Sequence, residues 1–213
     1  MIISHKYKFI FLKSKKTAGT SIEISLSRYC GEDDIITPIA PEDEEIRARF
    51  GIKPQNYMDE NNKKPKFFNH YGAKKIANTI GKDIWSSYYK FSFDRNPWDK
   101  VISHYYFKSG KSTSDISFDK YLNLNKFKDA YNYPIYTIKN NVVVDFLGKY
   151  ENLDEDLSKV CQKIGLPFDG WLPKAKGNFR KDRQHYRTHY NKDQKELVRQ
   201  YFKKEIDLLG YEF

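Results

Sequence analysis

"KFIFLKSKKTAGTSIEISLSRYCG", residues 8–31, passes from an apolar run through a hydroxyl-rich turn into helical spacing. Phe9, Ile10, Phe11 and Leu12 read as a buried strand. After a lysine-rich turn, Ile22, Leu26 and Tyr29 recur at i, i+4 and i+7, and Gly31 supplies a stop. Lys16, Thr17, Ala18, Gly19, Thr20 and Ser21 lie between the two. A strand that turns tightly into a helix N-terminus presents unpaired backbone N–H groups and the positive end of the helix dipole. The hydroxyls of Thr17, Thr20 and Ser21 add donors, Gly19 lets the main chain approach closely, and Lys16 stands at the mouth as a point charge. The stretch reads as a phosphate cradle.

Strand-like and helix-like segments alternate along the chain, which predicts an α/β fold with a mainly parallel sheet. Residues 1–16 read as the first core strand, too short and too charged in the apolar part for a signal peptide. Residues 38–66, rich in Pro, Asn and charge, read as a surface excursion, and residues 73–80 as a short helix ended by Gly81. A second strand, residues 88–93, leads to a helix capped by Asn96, with Pro97 in its first turn. Periodicity is weak over 108–136. A third strand is expected at 142–147, then a helix with Leu153, Leu157, Val160, Cys161 and Ile164 on one face. The last helix opens on a capping box, Asn191 with Gln194, and is expected to bury Leu197, Val198, Tyr201, Phe202 and Ile206.

With 213 residues the chain suits a single domain, 1–213, with a core that leans on 17 Tyr and 15 Phe. The formal charge of +10 points to an anionic partner, though Lys and Asn richness also follows from genome base composition. Two cysteines, Cys30 and Cys161, fall on apolar helix faces and read as buried free thiols. They are too few for a disulfide framework or a cysteine zinc site. No apolar run approaches the ~20 residues of a spanning helix. A reducing, cytoplasmic setting without a membrane span follows as the expectation.

The cradle departs from the ATPase pattern G-x-x-x-x-G-K-[ST], because Lys16 precedes Gly19 and no glycine opens the loop. Instead "FIFLKSKKTAGTSIE" resembles the 5′-phosphosulfate loop of sulfotransferases that use PAPS, 3′-phosphoadenosine 5′-phosphosulfate, commonly hydrophobic-x-x-x-P-K-T-[AG]-G-T-S. Lys15 stands at the usual proline position, so a looser and more basic turn is expected. "FSFDRNPWDKVISHYYF" resembles the same family's 3′-phosphate segment, with R-[ND]-P and a serine eight residues after the arginine. Asp94 replaces a usual hydrophobic residue there. "YENLDEDL" and "YFKKEIDLLGYEF" are also similar, so the resemblance covers residues 9–213. It is nearest the carbohydrate sulfotransferase branch, including the uronyl 2-O-sulfotransferases.

The resemblance implies a P-loop-like, three-layer α/β fold. It implies PAPS with its 5′ end on Lys16, Thr17, Ala18, Gly19, Thr20 and Ser21, and its 3′-phosphate on Arg95 and Ser103. Lys16 would offset charge on the phosphate as the S–O bond breaks, and no metal is required. His5, His70, His104, His185 and His189 are the histidines available. The resemblance favours His70 as catalytic base, with a carboxylate as the other option, while His104 is expected to turn aside. The basic loop reads two ways: as cofactor contacts from Lys174, Lys176, Asn178 or Arg180, or as a solvated loop. The acceptor expected is a glycan or small hydroxyl compound, with residues 38–66 and 108–136 as its walls. A nucleotide kinase and a non-catalytic polyanion-binding protein remain alternatives; no nucleic-acid module is present.

Overall fold

The computed structural model describes residues 1–213 apart from 60, 62, 111–115 and 176–183. Its elements begin with β1 (Ile2–Ser4), β2 (Phe9–Phe11), α1 (Gly19–Ser27), β3 (Ile35–Ile36), α2 (Pro41–Ala48), α3 (Ala73–Ile80), α4 (Lys82–Ser87) and β4 (Tyr89–Asp94). There follow α5 (Pro97–Ser109), α6 (Phe118–Asn123), α7 (Tyr133–Tyr136), β5 (Thr137–Ile138), β6 (Asn141–Val142) and β7 (Phe146–Lys149). Helices α8 (Leu153–Lys163), α9 (Lys192–Tyr201) and α10 (Lys203–Leu209) complete the fold. Five strands form one sheet in the order β3-β1-β2-β4-β7.

Strand alternation gives this sheet two faces. Phe9, Phe11, Phe91 and Phe93 share a core with Ile22 and Leu26 of α1 and Leu157, Val160 and Cys161 of α8. Ile3, Ile10 and Leu12 pack on the other side with Ala73 and Ile76 of α3 and Ile135 and Tyr136 of α7. The sheet thus lies between two layers of helices. A third cluster joins Trp98 and Val101 of α5 to Tyr121, Phe127, Val198 and Phe202.

Three expectations need correction. Residues 1–16 hold two strands, because β1 and β2 pair antiparallel around a charged turn. Asp34 holds that turn, accepting from Ser4 Oγ at 2.8 Å and from the His5 and Lys6 amides at 2.6 and 3.1 Å. The sheet is therefore parallel only through β2, β4 and β7, with β1 and β3 antiparallel to their neighbours. The last parallel strand is also displaced from 142–147 to Phe146–Lys149. Val142 pairs instead with Thr137 in a separate hairpin, across a turn where Lys139 and Asn140 have φ of 51° and 67°. Gly148 fits beside β4 because a Cβ there would meet Phe93 at 2.4 Å.

The helix signals fare better at their starts than at their faces. Asn96 Oδ1 caps α5 by accepting from the Trp98 amide at 3.1 Å, and Asn191 with Gln194 forms the capping box. Helix α9 turns Val198 and the following Phe202 inward, whereas Leu197 and Tyr201 are 39% and 36% exposed. Those two lie about 100° round the helix from the inward pair and reach only the rim. Residues 38–66 carry α2 rather than an irregular excursion alone.

Candidate active site at the carboxyl ends of the parallel strands

Chain leaving β2, β4 and β7 converges on a cavity of about 600 Å³. Residues 13–20 follow β2, Arg95 and helix α5 follow β4, and Tyr150 follows β7, and all contribute to its wall. In an open α/β sheet this end of the strands is where ligands sit. Lys16, Thr17, Ala18, Gly19, Thr20, His70, Arg95 and Ser103, widely separated in sequence, line this one space. Ser21 is buried one residue further into α1 and is outside the wall.

The loop after β2 is tightly folded. Lys16 and Ala18 take the left-handed conformation, with φ of 64° and 57°, and α1 begins at Gly19. Gly19 is required by close approach: a Cβ would lie 2.8 Å from Lys13 Cγ and 3.3 Å from the Ser14 carbonyl. Ser14 Oγ donates to the Phe93 carbonyl at 2.5 Å, so the 2.7 Å bond between Ser14 and Thr17 uses the Thr17 proton. The Thr17 hydroxyl therefore braces the loop against β4 instead of pointing a donor outward, contrary to expectation. Lys13 Nζ lies 2.5 Å from the buried carboxylate of Glu23. Burial raises a carboxyl's pKa, but the positive charges packed round Glu23, Lys13 foremost, outweigh it and hold the group at about 2.

The predicted looseness at Lys15 is not observed. Its amide donates to Asn132 Oδ1 at 2.8 Å, its carbonyl accepts from Asn132 Nδ2 at 3.0 Å, and its Nζ donates to the Asp129 carbonyl at 2.6 Å. A proline here would lack the first of these bonds.

Arg95 reaches the same loop. Its Nη1 donates to the Lys16 carbonyl at 3.3 Å, while Nε and Nη2 bond Asp99 Oδ2 at 2.9 and 2.6 Å. The guanidinium also lies 4.0 Å from the centre of the Tyr150 ring. Asp99 and Tyr150 thus orient the planar fork toward the cavity. Lys16 Nζ lies 4.1 Å above Phe107, one turn beyond Ser103 on α5.

Two histidines reach the cavity. His70 stands at φ 60° with Nδ1 3.1 Å from the Lys13 carbonyl. A carbonyl only accepts, so Nδ1 carries the proton and Nε2 keeps its lone pair. His70 is an exposed residue and lines the cavity. Desolvation by the surrounding protein, and then the Lys13 charge, lower its pKa, so it is neutral at pH 7. His104 lines the cavity, yet it is 5% exposed and its Nδ1 meets the buried Tyr121 hydroxyl at 2.7 Å. Helical geometry explains this, since α5 presents Ser103, His104 and Phe107 on adjoining rows.

Lys174 is exposed and outside the wall, although its neighbour Ala175 lines it. Lys176, Asn178 and Arg180 lie outside the described residues. Sequence reasoning missed the roles of Lys13, Asn132 and Tyr150. Lys13 lies in the loop itself, but Asn132 and Tyr150 reach the site only through contacts between distant segments, so no local pattern marks those two. Among the described residues, no helix is long and apolar enough to cross a membrane.

Lysine, arginine and hydroxyl groups dominate this wall, with Asp129 the carboxylate among its lining residues. The donor set suits a ligand with more than one anionic group, and the volume suits a nucleotide-sized molecule. Comparison with known proteins gives the family. The model of the "Sulfotransferase family" matches residues 1–212. An uncharacterized protein of Archaeoglobus fulgidus is 47% identical over 96 residues, which cover 43% of this chain and 80% of that protein. No solved structure matches.

Proposed function

This chain belongs to the sulfotransferase family, and we propose that it uses PAPS to sulfate an acceptor hydroxyl, releasing 3′,5′-bisphosphoadenosine. The observation that carries this reading is the 3.3 Å bond from Arg95 Nη1 to the Lys16 carbonyl. It brings the 5′-type loop and the 3′-type segment, 79 residues apart, to one cavity. A two-ended anion such as a bisphosphorylated nucleoside matches that pairing better than a simple phosphate.

In this proposal residues 1–213 act as one sulfotransferase domain with a P-loop-like, three-layer arrangement. Lys16, Ala18, Gly19 and Thr20 hold the 5′ end; Thr17 and Ser21 support the turn. Arg95 and Ser103 hold the 3′-phosphate, and Lys174, Lys176 and Asn178 add cofactor contacts. When bound, PAPS supplies a sulfuryl group already activated as a phosphosulfate anhydride. Lys16 places positive charge where negative charge grows on the phosphate side. His70 Nε2, with its tautomer fixed by Lys13, takes the acceptor hydroxyl's proton. Asp129 is the carboxylate alternative on the wall.

We infer a glycan or other small hydroxyl compound as acceptor, in line with the carbohydrate sulfotransferase branch. The free thiols of Cys30 and Cys161 suit a reducing compartment, the cytoplasm. Release of 3′,5′-bisphosphoadenosine from PAPS across a panel of glycans and alcohols tests the reading. Acceptor-dependent release, lost in Lys16→Ala, supports it. Transfer of phosphate from Mg-ATP instead would make the protein a kinase.

A further inference from the structure

Asn132 is fully buried between the two loops. Its Oδ1 accepts from the Lys15 amide at 2.8 Å, and its Nδ2 donates to the Lys15 carbonyl and to Asp94 Oδ1, each at 3.0 Å. One side chain thus grips the main chain just before Lys16 and the carboxylate just before Arg95. Asparagine suits this task because its amide offers both an acceptor and two donors. Aspartate has no donor for the Lys15 carbonyl when ionised, and leucine has neither kind of group.

Asn132 is itself held from behind. The Asn132 and Tyr133 amides donate to Glu205 Oε1 at 2.6 and 2.9 Å. Lys100 Nζ joins Glu205 Oε2 at 2.5 Å to Asp94 Oδ1 at 2.6 Å, and the Tyr136 hydroxyl donates to Asp94 Oδ2 at 2.7 Å. Asp94, Lys100, Asn132 and Glu205 are all 0% exposed. In such a dry setting each bond resists rearrangement, because a broken one leaves a buried polar group without a partner. A chain of contacts therefore runs from α10 through Glu205 to the loop that carries Lys16.

We propose that Asn132 is a positioning residue that fixes the separation between the Lys16 loop and Arg95. It thereby sets the spacing of the two anionic groups the cavity prefers. The proposal rests on reading the cavity as a two-ended site for a bisphosphorylated nucleoside. A purely structural role makes a different prediction: loss of Asn132 would weaken one-ended and two-ended ligands alike.

The test compares 3′,5′-bisphosphoadenosine with adenosine 5′-monophosphate by calorimetric titration. Wild type, Asn132→Ala, the milder Asn132→Ser and Lys15→Pro are used, with amide exchange of Lys15 followed in the first three. The preference for the bisphosphate is expected to fall about tenfold in Asn132→Ala, the scale of one or two hydrogen bonds. Lys15→Pro removes one of the same bonds from the other side, so adding it to Asn132→Ala is expected to cost little more. Equal weakening of both ligands, or an unchanged preference, would overturn the proposal. If wild type shows no preference for the bisphosphate, the cofactor reading fails and the spacing proposal falls with it. Lys15 exchange in Asn132→Ser then decides the clamp separately: faster exchange retains it as a loop brace, and an unchanged rate removes it.

Discussion

The Nδ1 atom of His70 stands 3.1 Å from the carbonyl oxygen of Lys13, three residues before Lys16. That bond fixes the tautomer and turns Nε2 into the acceptor of protons. His70→Asn is therefore expected to lower turnover by about 10²–10⁴ while leaving 3′,5′-bisphosphoadenosine affinity close to wild type. Parallel kinetics and calorimetry check this. Equal loss of binding and turnover would make His70 a ligand-binding group instead.

The pH profile offers a second check on the same residue. Desolvation by the surrounding protein and the Lys13 charge move the His70 pKa below its ordinary 6.5. The acid limb of kcat is expected below pH 6.5, with turnover nearly flat from pH 7 to 6. A limb centred at or above 6.5 would contradict a neutral, pre-oriented His70.

Lys16→Ala is expected to reduce kcat by about 10²–10³, the scale for removing one preorganised charge donor. Release of bisphosphoadenosine from PAPS measures it. A change confined to KM would mean that Lys16 binds the ground state and transition state equally.

Gly19 and Ala18 should respond differently. Gly19→Ala drives a Cβ to 2.8 Å from Lys13 Cγ, so a stability loss of about 1–3 kcal/mol is expected, with weaker nucleotide binding. Ala18, at φ 57°, sits where glycine is favoured, so Ala18→Gly is expected to stay within about 1 kcal/mol of wild type. Urea unfolding of the two variants decides. A Gly19→Ala protein as stable as wild type would show that the Lys13 stem yields.

His104 contributes a pH-dependent stability. Burial first, then Lys16 and Lys108, lower its pKa to about 4. The folded value lies below the unfolded one, so the folded chain binds fewer protons between them. This stabilisation is present above pH 6.5 and is lost as pH falls toward 4. Between pH 6.5 and 5 the expected loss is roughly 1–2 kcal/mol. Urea unfolding across that range should show a shallower slope in His104→Gln. An unchanged slope would assign the pH dependence elsewhere.

The parts of this site that are legible in sequence are those built from neighbours along the chain. The Lys16–Ser21 turn, the Asn96 cap and the spacing of Arg95 from Ser103 each depend on a single segment. The hairpin of β1 and β2 is hard to read because both strands are only three residues long and His5 to Lys8 carry no Gly, Pro or Asn to mark the turn. Strand β7 is displaced from the expected span because Val142–Val144 have higher strand propensity than the Gly148-containing segment that does pair with β4. Asn132 gave no signal, since its role depends on Lys15, Asp94 and Glu205, which the fold alone brings together.

The central claim is that Lys16 and Arg95 hold the two ends of one ligand. It is tested most directly by titrating 3′,5′-bisphosphoadenosine, ADP and Mg-ATP into wild type and Arg95→Ala. The account predicts tight binding of the bisphosphate alone, with that preference lost in Arg95→Ala. Equal or tighter binding of Mg-ATP would contradict it and favour a nucleotide kinase, while binding of none would leave a polyanion-binding protein as the reading.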